Sequence, residues 1–223
     1  MRTLVIAPHP DDELLGCGGT MLRRKAEGVT LGWLVMTSVD VANGWPAERV
    51  ASRAREIQSV AAELGVEAPH VFQLGLPTMK LDAMPLGDVI KPVSAVIHDF
   101  QPNELLVPHS DDAHSDHRVT FDAAVASTKW FRYPSITRVM SYETLSETDA
   151  MPDTKRGFQP NVFVDISRYI ERKWELLQIY ESEMGDFPFP RSEKAVRALA
   201  SVRGAQSGFE AAEAFCLLQE RQV

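Results

Sequence analysis

The residues of this sequence that could do chemistry gather in two places. The first is Pro8-His9-Pro10-Asp11-Asp12-Glu13, directly after the apolar run Leu4-Val5-Ile6-Ala7. In a turn held rigid by two prolines, His9 and Asp12 can converge on one ion as a nitrogen and an oxygen donor, both suited to Zn²⁺. Asp11 then points elsewhere and stays free. A free carboxylate beside a metal is what a hydrolase needs as general base. The metal lowers the pKa of a water it holds to about 7, and the carboxylate removes the proton. The same residues also fit a plainer reading, an acidic cluster at a helix N-terminus with His9 an ordinary loop residue.

The second place is Pro108-His109-Ser110-Asp111-Asp112-Ala113-His114-Ser115-Asp116-His117-Arg118. Of the six histidines, His98, His109, His114 and His117 fall in or near it. His117 is placed as a third protein ligand, giving a His2Asp set with an open position, as catalytic zinc requires. His114 stays outside that set and polarises a substrate carbonyl or protonates a leaving amine, with Asp116 orienting and charging it. A solvated polar loop is the plainer alternative, but two such clusters at two strand ends favour a metal site. Cys17 and Cys216 stand at opposite ends of the chain and form neither a disulfide framework nor a zinc pair, so any metal is held by nitrogen and oxygen. Gly16 to Gly19 match neither a phosphate loop nor a dinucleotide pattern.

Short apolar runs alternate with segments of helical period, the pattern of an α/β, Rossmann-like layered fold with a mainly parallel central sheet flanked by helices. Strands are predicted at residues 3–7, 30–37, 70–74, 104–107 and 137–142, and a Pro-rich, charged stretch after about residue 143 precedes Phe163-Val164-Asp165-Ile166-Ser167 and then helical segments to about 203. Helices are predicted at 47–64, where Gly65 is the C-cap, and at 86–99 and 117–128. Both clusters thus follow strands and open on one sheet edge, where open α/β sheets place ligands. Residues 1–223 read as one domain, with a helical extension from about residue 143 to 223 packed on the same core.

With 44% apolar and 24% charged residues over 223 positions, the composition is that of a globular protein. No apolar run approaches the ~18 to 20 residues that cross a bilayer, and no secretory signal is evident, so the expected compartment is the cytoplasm. A net charge of −8 argues against nucleic acid as a partner. An assembly of several copies is compatible with the sequence.

Pro8-His9-Pro10-Asp11-Asp12-Glu13 with Leu15-Gly16-Cys17-Gly18-Gly19, then His114-Ser115-Asp116-His117, resemble the LmbE-like, or PIG-L, N-acetylglucosamine deacetylases. Arg53-Ala54-Arg55-Glu56 with Leu64-Gly65, Leu74-Gly75-Leu76-Pro77 and Ala212-Glu213-Ala214-Phe215 are similar to further features of the family. The resemblance implies that His9, Asp12 and His117 bind zinc. It makes Asp11 the general base, and His114 with Asp116 the support for oxyanion and leaving group. Arg53 is implied in substrate binding, with a surface ion pair to Glu56 as the alternative. The implied reaction releases acetate from a small N-acetylated sugar or sugar conjugate. Hydrolysis of a non-sugar amide and a silent metal-binding module are the alternatives. Ser115 stands where the family usually has proline. The loop at residues 38–46, with Trp45 able to stack on a sugar ring, departs from the family at a substrate-facing position. Residues 181–192 are similar to a lid-like region of some members.

Overall fold

The computed structural model describes residues 1–150, 152 and 157–222. Of the expected C-terminal extension, Met151, residues 153–156 and Val223 lie outside the described residues. The strands are β1 (Arg2–Ala7), β2 (Thr30–Ser38), β3 (Val71–Pro77), β4 (Glu104–Val107), β5 (Arg138–Tyr142), β6 (Val162–Asp165) and β7 (Ala212–Glu220). The helices are α1 (Asp12–Ala26), α2 (Ala47–Leu64), α3 (Leu86–Phe100), α4 (Ser115–Ala126), α5 (Ile170–Leu177) and α6 (Glu193–Ser207).

One sheet runs in the order β3-β2-β1-β4-β5-β7-β6. Its first five strands pair in parallel, whereas β7 is antiparallel to both β5 and β6. The central parallel strands β1, β2 and β4 are near-continuous buried runs because helices cover both faces, whereas β3 at the sheet edge is only partly buried. Alternate residues divide between two cores. Val5, Ala7, Trp33, Val35 and Leu106 face α1, α2, α5 and α6. Leu4, Ile6, Leu34, Met36, Leu105 and Val107 face α3 and α4. Gly65 closes α2 in the left-handed conformation, as predicted from the sequence. β7 escaped the sequence reading. Its apolar run Ala214-Phe215-Cys216-Leu217-Leu218 is too short to separate strand from helix by periodicity, and its outer half is only partly buried. The extension therefore supplies two strands to the sheet in addition to its helices.

From β1 the chain turns back on one side to β2 and on the other side β1 pairs with β4, so the direction of winding reverses between β1 and β4. Crevices at such a reversal, beyond the carboxyl ends of the strands, are where α/β sheets bind ligands. Both histidine clusters emerge there.

The start of α1 is bent at Cys17, whose φ of −146° and ψ of 20° are not helical. Backbone groups on both sides of the bend find side-chain partners. Glu213 on β7 accepts from the N–H groups of Gly19 (2.8 Å) and Thr20 (2.7 Å), and Lys173 on α5 donates to the Leu15 carbonyl (2.9 Å) and to Glu213 (2.7 Å). Each member of this buried pair also has backbone partners, which offsets part of the cost of burying two charges. Gly16 lets the turn press against Tyr142: a Cβ there would stand 2.2 Å from the ring. Tyr142 in turn donates to the Ile6 carbonyl at 2.8 Å, beneath the first motif. Gly16→Ala is expected to lower stability by about 1–3 kcal/mol through overpacking. The urea midpoint measures this, and an unchanged midpoint would mean that the ring can yield freely.

Candidate metal centre and its pocket

After β1 the chain runs through Pro8 to Asp11. The Pro8 carbonyl is held by the Thr37 hydroxyl at the end of β2 (2.8 Å), and the Pro10 carbonyl by Arg53 Nη1 (3.1 Å). Asp11 caps α1 with φ 130° and ψ −30°, a conformation outside the regions open to L-residues. Strain of this kind costs on the order of 1–3 kcal/mol and persists only where surrounding contacts enforce it. Its effect is to send two consecutive carboxylates in different directions.

Asp12 turns inward. Its Oδ2 accepts from the His9 backbone N–H (2.9 Å) and lies 3.3 Å from His9 Nδ1 and 3.2 Å from His117 Nε2. Its other oxygen is buried with no partner among the described residues. His9, Asp12 and His117 each offer one donor atom, and these lie within 4.8 Å of one another. Two imidazole nitrogens and a carboxylate with an unpaired buried oxygen fit a divalent cation of the zinc type.

Each histidine of this trio carries a carboxylate on its far nitrogen. Asp112 Oδ2 is 2.8 Å from His117 Nδ1, and the Thr148 hydroxyl donates to the other Asp112 oxygen at 2.6 Å. Asp116 Oδ2 is 3.0 Å from His9 Nε2 and also accepts from the Met79 N–H (2.6 Å), while Asp116 Oδ1 accepts from the Leu81 N–H (3.0 Å). Such partners fix ring orientation and raise ligand basicity. Burial alone would lower the pKa of both rings, but Asp116 and Asp12 raise His9 to about 9, and Asp12 with Asp112 raise His117 to about 10. Asp12 stays well below the usual carboxylate range despite burial, because His117 and His9 outweigh it. Without a cation, two ring protons offset two of the three carboxylate charges in this cluster.

The Asp116 side chain thus serves His9, where the sequence pointed to His114. Its link to His114 is through its backbone, whose N–H donates to His114 Nδ1 at 3.0 Å and makes His114 the N-cap of α4. With Nδ1 an acceptor, the ring proton of neutral His114 sits on Nε2. Burial and the neighbouring His9 lower the His114 pKa, which favours the neutral ring over the charged one expected from sequence. His98 is exposed on α3 beside Asp99, and His109 packs on Phe158; neither belongs to the trio.

Asp11 turns toward a pocket of about 210 Å³, lined among others by His9, Trp45, Arg49, Arg53, His114 and Arg191. Burial and the charge of Asp12 raise its pKa to about 7 against the pull of Arg191, whose Nη1 stands 2.6 Å from its carboxylate. Arg53 is 8% exposed and pairs with Glu183 and, at 3.2 Å, with Glu56. It therefore has the ion pair offered as the alternative to substrate binding, while also lining the pocket. Asp112, Glu13, Glu183 and Arg191 were not assigned roles from sequence. Asp112 had one local signal, its place in the same loop as His117. Glu183 and Arg191 lay in the stretch 181–192 that is similar to a lid-like region, but nothing in the sequence tied Arg191 to Asp11, 180 residues away.

A seven-stranded α/β sheet with a His2Asp donor set at its winding reversal defines a class of metal-centre proteins. The family model described as GlcNAc-PI de-N-acetylase, PIG-L, matches residues 4–128, and the chain belongs to this family. The diacetylchitobiose deacetylase of Thermococcus kodakarensis is 28% identical over 226 residues, covering 95% of this chain and 81% of that protein. The structure of the N,N′-diacetylchitobiose deacetylase from Pyrococcus horikoshii is similar with a TM-score of 0.78 and 24% identity, over 98% of this chain and 84% of that one. The same fold, with a TM-score of 0.76 at 16% identity over 100% of this chain and 98% of that one, occurs in GalB, a 4-carboxy-2-hydroxymuconate hydratase of Pseudomonas putida. Fold alone therefore does not name the reaction.

A pH dependence follows from the two raised histidines. Folded values of about 9 and 10 against 6.5 for the free side chain mean that their contribution to stability is complete below pH 6.5 and is lost as pH rises toward 9 to 10. In metal-free protein, the stability advantage of wild type over His117→Gln is expected to shrink between pH 6.5 and 9. Urea titrations after chelation measure it, and a constant difference would contradict the proton-stabilised cluster.

Proposed function

We propose that this protein is a zinc-dependent N-deacetylase that releases acetate from a small N-acetylated sugar or sugar conjugate. The observation that carries the reading is the divergence of Asp11 from Asp12: a buried carboxylate, outside the donor set, faces a pocket beside it with its pKa raised to about 7. A general base works best when poised near the operating pH. The family membership and the activity named for the Thermococcus kodakarensis relative support acetamide hydrolysis as the reaction.

His9, Asp12 and His117 would hold the metal, with Asp116 and Asp112 fixing the two rings. When bound there, zinc supplies Lewis-acid polarisation of the carbonyl and a lowered pKa for the attacking water. Asp11 accepts the proton of that water and returns it to the departing amine, so the carboxylate ends the cycle as it began. His114 offers its Nε2–H to the carbonyl oxygen as negative charge develops on it, a fixed neutral donor. Arg191 holds the Asp11 carboxylate in place. Trp45, half-buried at the pocket wall, offers a ring face to a sugar, and Arg53 offers its guanidinium.

Asp11→Asn is expected to keep zinc content near that of wild type and to lower kcat by about 10²- to 10⁴-fold. His117→Ala is expected to lose zinc as well. Acetate release from N-acetylhexosamines and their conjugates, with metal analysis of the same samples, checks both. Equal loss of metal in the two variants would overturn the division of roles, and turnover only of non-sugar amides would overturn the substrate class.

A further inference from the structure

Four described residues other than glycine have positive φ. Met79, Gln101 and Ser146 lie between 49° and 73°, whereas Asp11 stands at 130°. An acidic N-cap ordinarily bends its side chain over the first N–H groups of its own helix. Asp11 makes no such bond. Its backbone N–H instead donates to Glu13 Oε2 at 3.0 Å, and its carbonyl accepts from the N–H groups of Leu14 (3.0 Å) and Leu15 (2.9 Å). Glu13, one position earlier than the returning glutamate of a capping box, thus holds the cap's N–H, while the cap's own carboxylate is released to the pocket.

Glu13 is itself immobilised. It is fully buried, and its second oxygen accepts from the hydroxyl of the equally buried Tyr180 at 2.9 Å. Tyr180 belongs to the 3-10 turn Gln178–Glu183, which also carries Glu183, the partner of Arg53 and Arg49. The Arg53 guanidinium lies 5.3 Å from the centre of the Tyr180 ring. One buried carboxyl group therefore joins the backbone of the strained residue to the segment that closes one side of the pocket.

We propose that Glu13 is a positioning residue for the reaction: it locks the backbone of Asp11 so that the carboxylates of Asp11 and Asp12 diverge, one to the pocket and one to the donor set. This inference rests on the deacetylase reading for its kinetic consequence, but not for its structural one. A helix start without that lock lets Asp11 relax to an ordinary cap, which turns its carboxylate back onto α1 and away from Arg191.

Glu13→Met keeps the side-chain length and removes the acceptor. It is expected to lower kcat about 10- to 100-fold, the penalty of a misplaced reacting group, with KM and zinc content within about twofold of wild type. Glu13→Gln is expected to restore kcat to within about threefold. Its carbonyl can still accept from the Asp11 N–H, the bond the proposal depends on, while its amide meets the Tyr180 oxygen as a donor and leaves the tyrosine hydroxyl proton without this acceptor, a cost to stability and not to kcat. A purely structural role would lower stability and zinc content together, without this split between kcat and KM. Should Glu13→Met not fold, Glu13→Asp withdraws the acceptor by one methylene and must give the same loss of kcat. The crystal structure of the variant is the second readout: Asp11 is expected to leave positive φ and lose its contact with Arg191. Wild-type kcat in both acceptor-withdrawing variants, or Asp11 still near 130° and paired with Arg191, overturns the proposal. A wild type inactive on every N-acetylated substrate overturns the deacetylase reading, and the variant's crystal structure still decides the role of Glu13.

Discussion

A single carboxylate oxygen, Asp12 Oδ2, lies within 3.3 Å of a nitrogen from each of two histidines that come from opposite halves of the sheet reversal. Everything else at the site is arranged around that convergence. Asp116 and Asp112 sit behind the two rings, so that the cluster holds three carboxylates and two imidazoles in a largely buried place. Burying that much negative charge is unfavourable unless positive charge accompanies it. Protons on both rings supply it in the metal-free protein, and a divalent cation of equal charge supplies it better, because the unpaired Asp12 oxygen also gains a partner.

The fold contributes rigidity at the points where this convergence is exposed to error. Tyr142 and Thr37 hold the carbonyls before and inside the first motif, and Arg53 holds the one that follows. Glu213 and Lys173 repair the bend in α1 that the close approach of the motif to β5 demands. These contacts come from β2, β5, β7, α2 and α5, so distant parts of the chain sustain one strained turn. That arrangement agrees with the rule that unfavourable backbone geometry concentrates at functional sites and is supported elsewhere.

The parallel half of the sheet was legible in the sequence because each of its strands is an apolar run bounded by turn residues. The donor trio was legible because its members sit at strand ends in two short motifs. β7 was not, because the apolar run from Ala214 to Leu218 fits a buried strand and a short helix segment equally well. The partner of Asp116 was misread for a geometric reason: His114 is two residues away in sequence, but the start of α4 points the Asp116 side chain at His9 and leaves only its N–H for His114. Glu13 was visible as part of an acidic run, yet its task depends on the φ of Asp11, which no spacing reveals. Arg191 meets Asp11 only through the tertiary fold.

The most direct measurement is calorimetric titration of metal-free protein with zinc at pH 7.5 in buffers of different ionisation enthalpy, which counts the protons displaced. Because His9 and His117 are raised to about 9 and 10, both rings are protonated before binding and must be neutral to ligate. One zinc ion per chain with release of close to two protons is the expected result. No binding, or binding without proton release, would contradict a His9, Asp12 and His117 centre.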